Sequence, residues 1–224
     1  MNQPGHSFIK FMHILLFSGI SFCSLADEAA LYDLAPQGSA FLRIIDLRKE
    51  HIDKPMPERL TLPIQNKRLS TVGYCSASEF IYLPAGDYRK EINAMLWRAE
   101  LEPDQAYSLL IADDSLRLLR DYPVTDSRRA MLAVYNFSPF STVSLNTAKS
   151  ARTVFATIPQ GESVAREINP LKSAFTVVNR GDRENTHLAV TAPMIFQPGV
   201  LSSLFICNDR SGIFTRWAYS MGGQ

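Results

Sequence analysis

Short runs of β-branched, aromatic and leucine residues, each cut off by a proline, glycine or aspartate turn, fill this chain from residue 39 to residue 207. The runs are Ser39–Leu47, Phe80–Leu83, Ala106–Ala112, Ala130–Asn136, Arg152–Ile158, Ala174–Asn179, His187–Thr191 and Leu201–Cys207. Between them stand Pro84-Ala-Gly86, Asp113-Asp114, Ser138-Pro139, Pro159-Gln-Gly161, Gly181-Asp182 and Pro198-Gly199. One stretch, Arg89–Glu102, also places Ile92, Met95, Leu96 and Ala99 at helical spacing. The hairpin reading, two strands around Asn93-Ala94, is preferred because Pro84-Ala-Gly86 opens a turn directly before it. Strands at this spacing predict an all-β chain built of antiparallel β-sandwiches.

Within Phe41-Leu-Arg-Ile-Ile-Asp46, Phe41, Arg43 and Ile45 share one face and Leu42 and Ile44 the other. The pattern Ala40-Phe-Leu-Arg-Ile-Ile-Asp46 recurs 90 residues later as Ala130-Met-Leu-Ala-Val-Tyr-Asn136. Leu83-Pro-Ala-Gly86 is echoed by Ile158-Pro-Gln-Gly161, and Arg89-Lys-Glu-Ile92 by Arg166-Glu-Ile168. A repeat of this length predicts two sandwiches in tandem, at 27–122 and 129–224. The polar, proline-containing run Asp121–Arg128 is the natural connection, with the linker proper at 123–128.

Residues 1–26 read as a secretory signal. A weakly basic start with His6, Lys10 and His13 precedes the apolar run Ile14–Leu25, and small residues flank a cleavage point between Ala26 and Asp27. Lipidation at Cys23 would place bulky Phe22 where a small residue is expected, so cleavage at Ala26 is preferred. The 23 Lys+Arg and 22 Asp+Glu of the whole chain become 22 of each once Lys10 leaves with the signal. A neutral chain without a basic face excludes a nucleic-acid binder. Cys75 and Cys207 remain, 132 residues apart and in different predicted domains. Buried free thiols are the simpler reading and an oxidised pair the alternative.

No catalytic, metal or cofactor constellation stands out. Only His51 and His187 could serve as a base after export, and neither sits in a recognisable triad segment. Two histidines and two distant cysteines form no zinc-type ligand pair, and no glycine run forms a phosphate loop. Tyr74, Tyr82, Tyr88, Trp97 and Trp217 could stack on sugar rings, but in a sandwich such residues read first as core or corner positions.

The start of the predicted mature chain carries a resemblance. Ala30-Leu31-Tyr32, then Ala35-Pro36-Gln-Gly38-Ser39, then Phe41-Leu-Arg43 resembles the opening of the alginate O-acetylation protein F (AlgF) family. Phe80-Ile-Tyr-Leu-Pro84-Ala-Gly86-Asp-Tyr88 is similar to that family's Leu-Pro-x-Gly hairpin, and Arg166-Glu167-Ile-Asn169-Pro170 to a motif ahead of a second-domain strand. These motifs read as architectural: Pro84 fixes φ at a turn corner, Gly86 is free to take a positive φ, and Asn169-Pro170 ends a strand.

The resemblance implies a periplasmic, non-catalytic accessory subunit of exopolysaccharide O-acetylation, for alginate or an acetylated cellulose. Its implied partners are periplasmic acetyltransferases, a membrane-bound O-acyltransferase and the polysaccharide itself. A sandwich that binds carbohydrate without a role in acetylation is the alternative. Lys49–Arg68 departs from the family pattern as a charged, insertion-like stretch.

Overall fold

The computed structural model describes residues 35–49, 60–65, 67–71, 73–92, 94–180 and 185–221. The signal segment with Ala26 and Asp27, the motif residues Leu31 and Tyr32, His51 and the Gly181-Asp182 turn lie outside them. The described residues are all-β, with no α-helix.

The strands up to residue 120 are β1 (Ser39–Asp46), β2 (Leu60–Ile64), β3 (Lys67–Thr71), β4 (Ser76–Ala77), β5 (Ile81–Pro84), β6 (Gly86–Ile92), β7 (Met95–Leu101), β8 (Ala106–Ile111) and β9 (Leu116–Arg120). β1 pairs with β4 and β5 on one side and with β8 in parallel on the other, and β9 closes the sheet beside β8. The hairpins β2–β3 and β6–β7 cover one face of this sheet. The Arg89–Glu102 region is therefore strand, with Ala94 (φ 59°) in the turn of the β6–β7 hairpin. Leu60–Ile64 and Lys67–Thr71 are also paired strands, so the described end of the charged stretch belongs to a hairpin. Ile64 and Leu69 anchor it in the core, and its charges had hidden that alternation.

From residue 130 onward follow β10 (Ala130–Asn136), β11 (Thr142–Thr147), β12 (Thr153–Pro159), β13 (Ser163–Ile168), β14 (Lys172–Ser173), β15 (Phe175–Arg180), β16 (Asn185–Val190), β17 (Met194–Ile195), β18 (Val200–Asp209) and β19 (Gly212–Met221). One sheet has the order β13-β10-β18-β19 and the other β12-β11-β15-β16, while β14 and β17 form a small separate pair.

Among the described residues three apolar cores separate four layers. Ala40, Leu42 and Ile44 of β1 pack with Leu109 of β8 against Ile64, Leu69, Trp97 and Leu101 of the hairpins. Leu132 and Val134 of β10 pack with Leu204 and Ile206 against Val143, Leu145, Phe175 and Val177. The third core lies between the β1 and β10 sheets, where Ile45, Leu110 and Leu119 meet Met131, Ala133, Tyr135, Leu201 and Phe205. Both faces of the central strands are thus covered, which is why β10 is buried at all seven positions and reads as an unbroken apolar run.

The 90-residue repeat is structural. β1 and β10 each have an antiparallel neighbour (β5, β13) and a parallel one (β8, β18) that leads into an edge hairpin strand. Asp46 Oδ1 accepts from the backbone N–H of Arg48 at 3.1 Å, and Asn136 Oδ1 accepts from that of Ser138 at 3.1 Å, the same cap at equivalent strand ends. The Leu-Pro-Ala-Gly echo has no such equivalence. β5 lies beside β1, whereas β12 belongs to the other sheet of its sandwich.

Candidate functional site: a sealed polar junction and an open hairpin cleft

The Arg43 side chain leaves β1 into the layer between the two central sheets, where it is 0% exposed. Its Nε donates to Ser108 Oγ at 2.7 Å. Its Nη2 donates to Tyr135 Oη at 2.9 Å and Ser203 Oγ at 3.1 Å, and lies 3.4 Å from Asp121 Oδ1. Ser108 Oγ donates in turn to Asp121 Oδ2 at 2.7 Å, and the Tyr135 hydroxyl donates to Asp121 Oδ1. The guanidinium carbon lies 4.7 Å from the Phe80 ring centre and 5.7 Å from that of Phe205. Burial first, and the Asp121 charge second, push the Tyr135 phenol far above its ordinary range, so it stays a neutral donor. An arginine paired with a carboxylate, with its remaining donors satisfied, can be held in such a place.

Polar contacts ring this core. Arg117 donates to Gly161 O and to Glu162 Oε1, both at 2.7 Å. A Cβ on Gly161 (φ 72°) would stand 2.9 Å from Arg117 Nη1, so glycine is what admits the guanidinium. Tyr122 Oη donates to Ser163 O at 2.8 Å. Glu167 of β13 accepts from Thr125 Oγ1 and from Asp126 N, and Arg129 donates to its carbonyl at 3.2 Å. The Thr125 hydrogen bond is the largest cause holding the Glu167 carboxyl below its ordinary value. The connecting segment is thereby tied down along β13.

Cys75 and Cys207 form a disulfide across the same junction, with Cα atoms 6.4 Å apart and both side chains buried. The free-thiol reading is corrected. The two predicted domains are packed face to face, which brings residues 132 apart in sequence to bonding distance.

The other motif residues are distributed as follows. Pro36 O accepts from Ser39 N at 3.1 Å, closing a turn through Gly38 into β1, where Phe41 is half-buried. Pro84 and Gly86 (φ 136°) form the β5–β6 corner, and Tyr88 Oη donates back to Pro84 O at 2.7 Å. Arg166 is exposed and donates to Val154 O at 3.0 Å, while Asn169 and Pro170 are exposed after β13. Arg43 and Glu167 thus meet the junction, and the Pro84–Tyr88 corner lies elsewhere. Sequence reasoning missed Ser108, Tyr135 and Ser203, and took Asp121 for part of a polar connection. The available signal was a polar residue inside each of three apolar runs.

The β6–β7 hairpin carries the open surface. A shallow cleft of about 440 Å3 is lined by Asp87, Tyr88, Arg89, Arg98, Ala99 and Glu100. Cross-strand register sets Arg89 opposite Arg98 and Asp87 opposite Glu100, giving one basic and one acidic band. Tyr88 accepts from Gln65 Nε2 at 3.1 Å beside it. Trp97 is turned into the first core and Trp217 packs with Phe175 and Phe196 in the second, so both serve as core. His187 is exposed on β16. Among the described residues no three His, Cys, Asp or Glu side chains converge as metal ligands.

Fold and site together define an all-β protein of two repeat-related sandwiches, joined by a sealed polar layer and a disulfide. The chain belongs to the AlgF family: the family profile described as "Alginate O-acetyl transferase AlgF" matches residues 14–193. The alginate biosynthesis protein AlgF of Pseudomonas fluorescens is 25% identical over 202 residues, covering 89% of this chain and 87% of its own length. The Pseudomonas aeruginosa protein of the same name is 28% identical, covering 75% and 74%. A solved C-terminal domain of AlgF from P. aeruginosa aligns with 41% of this chain and 98% of its own length, at 21% identity and a TM-score of 0.35.

Proposed function

We propose that this protein is a periplasmic accessory subunit for O-acetylation of an exopolysaccharide, organising transfer from a membrane-bound O-acyltransferase to periplasmic acetyltransferases without performing the chemistry itself. The observation that carries the reading is family membership over residues 14–193. Alginate, the polymer in the relatives' names, is the first candidate, ahead of cellulose.

The internal chemistry supports an accessory role. Ser108 and Ser203, whose hydroxyls accept from the Arg43 guanidinium, are 0% exposed and bonded within the junction, where no acetyl donor can reach them. A disulfide supports an oxidising compartment. The inward turn of Trp97 and Trp217 lends no support to polymer stacking as the main role.

The test is the acetyl content of the secreted polysaccharide, per gram, with and without the gene. Loss of acetyl groups at unchanged polymer yield is expected. Unchanged acetylation would overturn the role, and acetyl transfer by the purified protein alone would overturn its accessory character.

A further inference from the structure

The two sandwiches are joined at opposite ends of their shared layer. The connecting peptide leaves the first sheet at the start of β1, since Asp121 N donates to Ala106 O and Ala106 is level with Phe41. It enters the second sheet at Ala130, the start of β10. The disulfide is at the other end. Cys75 N donates to Asp46 O at the finish of β1, and Cys207 lies one residue past the Asn136–Ile206 pair at the finish of β10. At roughly 3.3 Å per strand residue the peptide and the disulfide are about 15–20 Å apart.

We infer that the disulfide is a latch on a hinge. The hinge is where the chain passes from Asp121, bonded to the first sheet, to the segment from Tyr122 onward, which is bonded along β13, and Cys75–Cys207 holds shut the end that would open. With only the peptide, the far end is closed by apolar contacts such as Tyr74 on Phe214 and by the Arg117–Glu162 pair, whose side chains are about half exposed and add little. With the disulfide, opening needs disruption of a sheet.

Because both sulfurs are buried, the bond is made while the junction is open. One cysteine thiolate attacks the disulfide of a thiol-oxidant protein or small-molecule disulfide, releasing one oxidant thiol and leaving a mixed disulfide. The second thiolate then displaces the other oxidant thiol. The two cysteines lose two electrons and two protons in total, and both sulfurs of the oxidant end as thiols. Closure then seals the bond from reductants.

The test uses alkylation of a thiol under native conditions. In the Cys75→Ala variant the remaining Cys207 reports opening of the junction. A Val177→Cys thiol in the Cys75→Ala, Cys207→Ala background reports opening of the second sandwich's own core, where Val177 is 0% exposed. Cys207 is expected to react at least about tenfold faster than the Val177→Cys thiol, because junction opening is local and core opening is not. Equal rates overturn the latch.

The unaltered protein gives a second reading if the variants fail to fold. Its disulfide should be reduced by a phosphine only as fast as the whole chain unfolds, with the full urea dependence of unfolding. Rapid reduction in native buffer, independent of urea, overturns the latch equally.

Discussion

Replacing Arg43 by methionine should be the most damaging single change in the junction. Methionine keeps the stem but removes the charge that faces Asp121, a carboxylate 3% exposed. Asp121 would keep its hydrogen bonds from Ser108 and Tyr135, while its charge loses its counter-ion and the hydroxyls of Tyr135 and Ser203 lose a donor. Stranding one partner of a buried pair costs about 3–5 kcal/mol. For a folded unit of this size that lowers the melting temperature by about 6–20 °C. Fluorescence-detected urea unfolding suits the question, because the only two tryptophans are Trp97 in the first core and Trp217 in the second. Arg43→Met combined with Trp97→Phe or Trp217→Phe reads each sandwich by itself. Both transitions should move, since the lost contact belongs to both. Removing the stranded charge as well, in Arg43→Met with Asp121→Leu, should recover roughly half of the loss or more. A cost under about 1 kcal/mol for Arg43→Met, or a shift confined to one tryptophan, would refute the junction as a shared structural element.

Three further outcomes are expected. Cys75→Ala with Cys207→Ala should cost about 5 kcal/mol in the chain-entropy account for a 132-residue loop, measured by urea unfolding against the oxidised protein. Gly161→Ala should cost about 1–2 kcal/mol, because alanine resists the positive φ and its Cβ displaces Arg117; calorimetry of the single variant checks this. Glu167 has a folded pKa held below its ordinary value of 4.5, so its contribution to stability is complete above that pH and is lost as pH falls through the lower folded value. Glu167→Gln should therefore flatten the acid limb of the stability–pH profile below about pH 4.5 and leave the neutral region with a constant offset.

The all-β class was legible because strand residues and turn residues alternate along the chain, and the faces of β1 were legible residue by residue. What lies opposite the Arg43 face was not. An arginine in an alternating strand reads as solvent-facing, and full burial becomes tolerable only with partners 65 to 160 residues away. No local pattern announces Ser108, Tyr135 and Ser203 as that set. The disulfide stood only as the alternative to free thiols for the same reason, since its 132-residue separation closes only when two sandwiches meet face to face. β2–β3 was missed for a different reason: buried positions such as Ile64, Leu69 and Thr71 outweigh the surrounding charges in the fold but not in composition.

On the accessory role proposed above, the repeat also points to where partner recognition would fall. β1 and β10 present equivalent faces to one another, as two copies of one protein would, yet the match is not symmetric. Position 43 is a buried arginine and its counterpart 90 residues on is Ala133, so a large charged side chain faces a sheet that leaves room for it. This asymmetry fixes the pairing within the chain and uses up the faces that the halves have in common. The outer layers are what remain, and these have diverged. One is a pair of separate hairpins carrying the Asp87–Glu100 and Arg89–Arg98 bands, and the other is a continuous four-stranded sheet. Two unlike outer surfaces on a locked core are suited to holding two unlike partners at a fixed separation, whereas a flexible pair of domains would not set that distance. Cross-strand like charges cost stability in the isolated hairpin, and a partner bearing the complementary bands would relieve that cost on docking. Neutralising the basic band, with Arg89→Gln and Arg98→Gln together, should leave urea unfolding within about 0.5 kcal/mol of the parent while abolishing acetylation of the polymer in cells. Retained acetylation would move the recognition surface to the continuous sheet.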